Sequence, residues 1–260
     1  MRFNHNTGPL ANTPTVVKNL VIINAIMLAV KWMGKGQFLG FDMDQALGLH
    51  YIGTPDFRPW QFVTYMFMHA GLFHLLGNMF GLFFLGAPLE YRWGSKRFLQ
   101  FYVICGIGAA VINMGIQSID YHRVLGMLSP DQMQAINANG REVWETLQRG
   151  YGRSFSDPNM NDMVGLMYSG MRGASGAVFG VITAFAMLYP NVELFLYFIP
   201  VPIKAKYLAI GYGSIELYLG FAGRFGWPGG GGDVAHFAHI GGLVVGFITV
   251  MIWKRRLPYT

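Results

Sequence analysis

The stretch that decides the fold is Ser169-Gly170-Met171-Arg172-Gly173-Ala174-Ser175-Gly176-Ala177-Val178-Phe179-Gly180, continued by Val181 to Tyr189 and closed by Pro190. Ser175 to Tyr189 is a nearly unbroken apolar run of 15 residues, about 22 Å of helix at 1.5 Å per residue. The hydrocarbon core of a bilayer is about 30 Å thick, and Pro190 helps to end the helix. A helix this short, ending at one surface, begins several ångströms below the other. The residues before it are rich in glycine and carry Arg172. Irregular, charged backbone at membrane depth survives only where it is buried in protein or lines a water-filled cavity. The stretch therefore implies a wet depression within a membrane, with Ser175 on its floor at a helix N-terminus.

The rest of the chain agrees. Of its 260 residues 53% are hydrophobic and 12% charged, about half the charged share of a soluble domain. The length suits one domain, residues 1–260. Six apolar segments are predicted, at about 16–33, 72–89, 98–119, 175–189, 207–221 and 236–253. The fold class is an all-α membrane protein, a six-transmembrane-helix bundle. A large loop after the first helix, 34–70, holds Phe57, Trp60, Phe62, Tyr65 and Phe67, an aromatic density that suits the membrane interface. Residues 120–172 form an insertion between the third and fourth helices. Pro130 to Arg149 is predicted helical there, with apolar positions at Met133, Ile136, Val143, Trp144 and Leu147.

The net charge of +6 does not argue for nucleic acid. The basic residues flank apolar segments, which is the pattern of membrane topology. Arg2, Lys18, Arg92, Lys96, Arg97, Lys204, Lys206, Lys254, Arg255 and Arg256 fall on one side, so both termini are expected in the cytoplasm and 120–172 outside it. The N-terminus lacks the pattern of a cleaved signal, and the first segment is expected to remain as an anchor. A bacterial inner membrane is the expected location. Cys105, the lone cysteine, says nothing about redox compartment.

Ionisable residues inside membrane spans are costly and are functional candidates by default. His74 and Asn78 are four apart and share a helix face. His236 and His239 open the last segment, His239 the deeper of the two. A serine nucleophile needs a base within hydrogen-bond reach, histidine is such a base near neutral pH, and the oxyanion needs donors. Backbone N–H groups at the start of the fourth helix are free to donate. Each residue alone reads as well as a packing or helix-gluing group; their occurrence together with the short helix favours acyl transfer. Gly176 and Gly180, and Gly242 and Gly246, have the small-xxx-small spacing of close helix contacts. If those faces meet, Ser175 and His239 come within reach.

Gly173-Ala174-Ser175-Gly176 resembles the G-x-S-G motif of the rhomboid family. Ala238-His239-Ile240-Gly241-Gly242 is similar to its A-H-x-x-G motif, and His69 through His74 to Asn78 to its H-x₄-H-x₃-N stretch. Glu90 to Phe98 resembles the charged turn after that helix. The resemblance implies a six-helix intramembrane serine endopeptidase that cleaves transmembrane segments of other proteins in the lipid bilayer. Ser175 would be the nucleophile and His239 the general base and acid. His74, Asn78 and the Ser175 amide would form the oxyanion hole. The family uses a dyad, so no acidic third member is expected, Asp233 included, and no metal or cofactor is implied. The chain departs from the family at Trp60-Gln61, where Trp-Arg is frequent and Arg58 is a candidate substitute, and at Phe179, often Tyr, which can still stack on His239. The fifth segment and the loop Gly226–Gly232 are the expected substrate gate. The competing readings are a catalytically inactive rhomboid-like protein that binds membrane clients, and a transporter or channel, for which repeated halves and a polar path are missing.

Overall fold

Backbone in hydrocarbon must satisfy its own N–H and C=O groups, so apolar segments of this length fold as helices. The computed structural model describes residues 13–150, 154–196, 199–225 and 236–256. Helix α1 is Thr15–Met33. A short antiparallel hairpin, β1 (Gln37–Phe38) with β2 (Phe41–Asp42), leads to α2 (Met43–Leu47) and α3 (Gln61–Thr64). Helix α4 (Leu72–Gly81) passes through a π-helical turn at Leu82–Gly86 into α5 (Ala87–Trp93). Then come α6 (Ser95–Leu125), α7 (Pro130–Gln148), α8 (Pro158–Tyr168) and α9 (Ser175–Leu188). A second hairpin, β3 (Glu193–Leu196) with β4 (Ile199–Lys204), precedes α10 (Ala205–Phe225) and α11 (His236–Arg256).

Among the described residues four helices are long and apolar enough to cross a membrane: Thr15–Met33, Leu72–Trp93, Ser95–Leu125 and His236–Lys254. The chain is an integral membrane protein. The expected fourth and fifth segments are present as helices but are not among those four. α9 has 14 residues, and α10 carries Lys206 and Glu216 along its length. The third and fifth helices run several residues past their predicted ends. The 190–206 connection, expected as a plain loop, contains the second hairpin.

Helix α9 is buried on consecutive positions from Gly176 to Val181 and again at Ala184, Phe185 and Ala186. A helix apolar all round belongs in the interior. Its main neighbour is α11, and the two meet through their glycines. A Cβ added to Gly242 would run into the carbonyl oxygen of Gly176, and one on Gly246 would lie 2.8 Å from Gly180 Cα. On α9 itself, a Cβ at Gly180 would stand 2.5 Å from Cys105 Sγ of α6, and one at Gly176 would stand 2.7 Å from Ala109 Cβ. Both small-xxx-small pairs therefore lie in the same contact.

Polar anchors hold the ends. Glu90 is buried, and its carboxylate accepts hydrogen bonds from Val16 N and Val17 N at 2.9 and 2.8 Å, capping the free N–H groups of α1. It also accepts from Ser95 Oγ at 2.6 Å. At the same end Lys254 Nζ donates to Met187 O at 3.3 Å, and Arg92 lies 5.7 Å from the Tyr189 ring centroid. The basic ends of several helices thus share one face, as the charge pattern predicted.

The 34–70 segment is anchored by Gln61, not by Arg58. Gln61 is fully buried; its Oε1 accepts from His50 N and Arg58 N at 3.2 and 3.0 Å, and its Nε2 donates to Asp56 O at 3.0 Å and Gln45 O at 3.1 Å. One side-chain amide so satisfies four main-chain groups in a turn that has no ladder of its own. Arg58 only caps its local turn, donating to Pro55 O and Phe57 O.

The predicted helix in the insertion is α7. It is accompanied by α8, a helix not predicted from the sequence. Ile136 and Val143 pack with Val124, Met160, Met163, Val164, Met167 and Tyr168 in a second apolar cluster, separate from the bundle core. A Ser129–Gln132 capping box starts α7. Arg141 fastens it to the 34–70 segment by pairing with Asp56 and lying 4.9 Å from the Tyr168 ring centroid. Burial opposes ionisation of Asp56, but hydrogen bonds from Arg141 and Gln45 outweigh it and hold the carboxyl below its usual range.

Two outcomes follow. Gly242→Ala should destabilise the detergent-solubilised protein by about 1–3 kcal/mol, the usual cost of overpacking. Gly115→Ala, where a Cβ meets nothing within 4 Å, should leave the melting temperature unchanged or raised; equal tolerance at both sites would contradict the close contact. For Asp56, a depressed native value means stability that is complete above the ordinary carboxylate value and is lost as pH falls through the depressed one. Protection of α7 against hydrogen exchange, corrected for intrinsic rates, should fall on acidification below about pH 4, and Asp56→Asn should remove that dependence.

Candidate active site

Ser175 is the first residue of α9. The first intrahelical bond runs from Val178 N to Ala174 O at 3.0 Å. The amides of residues 175–177 therefore have no partner within the helix, and their dipoles point toward its N-terminal end. The chain reaches Ser175 through an extended stretch tied to the 34–70 segment. Leu49 and Met171 exchange main-chain hydrogen bonds at 2.9 and 2.8 Å, and Gly173 N donates to Tyr65 O at 3.0 Å. Tyr65 is itself fixed, its hydroxyl donating to Gly106 O at 2.8 Å. Asp44 is clamped between Lys31 Nζ at 2.7 Å and Arg172 Nη1 at 2.6 Å. That clamp accounts for Arg172, the charge that made this stretch conspicuous.

His239 is in the first turn of α11. Its Nε2 lies 2.7 Å from Ser175 Oγ. Its ring stacks on Phe179, centroids 4.3 Å apart and planes inclined by 11°. The departure from tyrosine at 179 removes a hydroxyl but keeps the stack that orients the imidazole. Ser175 and His239 border a cavity of about 1140 Å³ that runs between α4 and α10, where Gly77, Phe80 and Phe84 face Leu208 and Tyr212.

His74 and Asn78 border the same cavity. A Cβ on Gly173 would lie 2.7 Å from His74 Cε1 and Nε2 and 3.6 Å from Ser175 Oγ, which puts the His74 ring beside the serine. The buried His69 ring packs edge-on to His74 at 5.1 Å. Asn78 is buried and donates to His74 O at 3.1 Å, which occupies one of its two amide hydrogens. Ser175, His239, His74 and Asn78 border one cavity, and His236 is not among its lining residues.

Glu216 belongs to the site but is not among the residues predicted from sequence. It lies on α10, buried, with Oε2 2.6 Å from His236 Nδ1 and 2.9 Å from His239 Nδ1. The second contact is at ion-pair distance but off the line of a well-formed hydrogen bond, because His239 Nδ1 has no partner of good geometry. A signal was present, since Glu216 is a carboxylate inside the predicted 207–221 segment, where ionisable residues are candidates by default. Glu216, His236 and His239 also bring three ligating atoms within 4.8 Å of one another, close enough to share a cation, though acyl transfer by serine and histidine needs none. Asp233, the acidic residue weighed from sequence, lies outside the described residues.

Residues 56–127 and 149–256 match the family model of the rhomboid domain. The interruption, 128–148, contains α7. An uncharacterized rhomboid protein of Schizosaccharomyces pombe, named as mitochondrial, is 27% identical over 227 residues, 78% of this chain and 53% of its own length. RHOMBOID-like protein 12, mitochondrial, of Arabidopsis thaliana is 26% identical over 245 residues, 92% of this chain and 58% of its own. Rhomboid-like protease 3 of Toxoplasma gondii is 34% identical over 62 residues, 24% of either chain. The chain spans little more than half the length of the first two relatives.

Gly173 has φ +131°, in the region that favours glycine. Gly173→Ala adds backbone strain of about 1–3 kcal/mol and pushes a methyl into His74. Labelling of Ser175 by a serine-directed probe should slow by at least about tenfold, the rate equivalent of 1.4 kcal/mol, and a parental rate would show that the turn yields without cost to the site.

Proposed function

The chain belongs to the rhomboid family, and from that premise we propose that it is an intramembrane serine endopeptidase acting through Ser175 and His239. One observation carries the proposal: the 2.7 Å contact between Ser175 Oγ and His239 Nε2, made across two helices at the wall of a cavity. Ser175 attacks the scissile carbonyl as His239 takes its proton, and His239 returns that proton to the leaving amine. The free amides at the start of α9, with His74 and Asn78, donate to the oxyanion.

The substrates are transmembrane segments of other membrane proteins, entering from the bilayer between α4 and α10. The cavity there supports this route, and α10 is the moving part of the gate. The loop 226–232, expected to share that role, lies outside the described residues. Residues 120–172 form an insertion outside the cytoplasm that shapes entry and supplies no catalytic group. The break in the family match at α7 and the separate apolar cluster there favour that division. Both termini are cytoplasmic by the charge pattern. A bacterial inner membrane finds no support among the relatives, three of which are named as mitochondrial proteins. A catalytically inactive client-binding protein would have no use for an aligned serine and histidine, and this chain has both.

Ser175→Ala and His239→Ala should each abolish cleavage of a membrane substrate in a protein that still folds. His74→Ala and Asn78→Ala should each slow turnover by about 10²–10³, the usual loss for one oxyanion donor. Full turnover by folded Ser175→Ala protein would end the proposal, and unchanged rates in both donor variants would put the oxyanion hole elsewhere.

A further inference from the structure

Glu216 is a buried acidic side chain in the middle of the 21-residue helix α10, and a buried carboxylate is costly unless it is paired. One use for it is mechanical, since the 2.6 Å contact with His236 ties α10 to α11. That use leaves the second contact unexplained. The same Oε2 is 2.9 Å from His239 Nδ1, on the side of the ring opposite the nitrogen that meets Ser175.

The chemistry of imidazole makes that side matter. For Nε2 to accept the Ser175 proton, neutral His239 must carry its own ring proton on Nδ1. That nitrogen is buried, and a buried N–H without an acceptor costs about 1–3 kcal/mol. Among the described residues Glu216 is the acceptor in reach, at 2.9 Å, and a small turn of the ring or carboxylate would bring it into line. Without it, the ring gains by moving its proton to Nε2, where it no longer serves as a base. We propose that Glu216 is a positioning residue for catalysis. It holds His239 in the Nδ1-protonated tautomer and stabilises the imidazolium that forms when Ser175 attacks.

The proposal rests on the Ser175–His239 reading, and the proton count is that of acyl transfer. The Oγ–C bond forms as the Oγ proton passes to His239 Nε2. The C–N bond breaks as that proton passes to the leaving amine, and water repeats the sequence on the acyl-enzyme. Glu216 stays ionised throughout and takes no proton.

The test uses the full chain in detergent or liposomes, with Glu216→Gln, Glu216→Asp and Ser175→Ala. A serine-directed fluorophosphonate is the probe, kcat and KM are read on a membrane substrate, and thermal unfolding is followed for every variant. Glu216→Gln keeps shape but loses the charge. Its kcat and its labelling rate at Ser175 should fall together by about 10²–10⁴, up to the loss seen when the acid of a serine triad is made an amide. KM should stay within about twofold, and Glu216→Asp should recover part of kcat. A folded Glu216→Gln protein with kcat within about twofold of the parent would overturn the proposal, as would a loss of kcat that follows thermal stability and that aspartate does not rescue. Should both variants fail to fold, ¹⁵N-histidine NMR of the unaltered protein decides. His239 protonated at Nδ1 is the expected result, and protonation at Nε2 alone refutes the idea. Labelling of Ser175→Ala at the parental rate would instead remove the serine–histidine reading itself, whatever Glu216 does.

Discussion

Everything in this protein depends on how closely α9 and α11 approach. Lipid tails are as apolar as leucine, so no hydrophobic force drives two helices together inside a bilayer; van der Waals contact and interhelical hydrogen bonds must do it. Here the helices close until a Cβ at Gly242 would have no room beside the Gly176 carbonyl. At that separation the N-terminal ends of both helices lie side by side, and Ser175 and His239 fall within hydrogen-bond distance. A methyl at Gly242 or Gly246 would press on the backbone of α9 and push the two helices apart. The glycines therefore set the chemistry as well as the packing.

A short helix whose start is buried creates a second constraint. The backbone before Ser175 has left its helix-forming stretch, and its polar groups need partners. The 34–70 segment supplies them through Leu49, Tyr65 and the Asp44 clamp on Arg172. That segment has only short pieces of regular structure, and it holds its shape around the buried amide of Gln61. A chain of dependence results: Gln61 organises the loop, the loop organises residues 171–173, and these deliver Ser175 to α11. The insertion, pinned by Arg141 to Asp56, rests on the same loop.

Helix α10 has two roles that pull against each other. It forms one wall of the cavity between itself and α4, the proposed route of a substrate helix. It also carries the carboxylate beside His239. A wall that moves away takes that charge with it. In the proposed mechanism, substrate entry and readiness of the base are thereby coupled through one side chain, whose carboxylate His236 shares.

Much of this was legible in the chain itself. Hydropathy and length are local sums, so the membrane helices, the shortness of α9 and the helix at Pro130–Gln148 follow from nearest neighbours. The motifs around Ser175, His239 and His74–Asn78 are local too, and glycine spacing identified the faces that meet. Three features depend on pairings that no local pattern encodes. Gln61 stands where the family often has arginine, and nothing in its neighbours announces that a neutral amide can satisfy four main-chain groups. α8 is a short helix stabilised by packing on α7 rather than by strong periodicity. Glu216 lies 41 residues after Ser175 and 23 before His239, on a helix that shares no repeat with either. The sequence by itself determined where the apolar helices lie, four of them long enough to cross a membrane, and which serine and histidine are available. Only the tertiary structure decided that a carboxylate from a third helix stands behind the histidine, because that contact arises from the relative placement of α9, α10 and α11 and not from the period of any one of them.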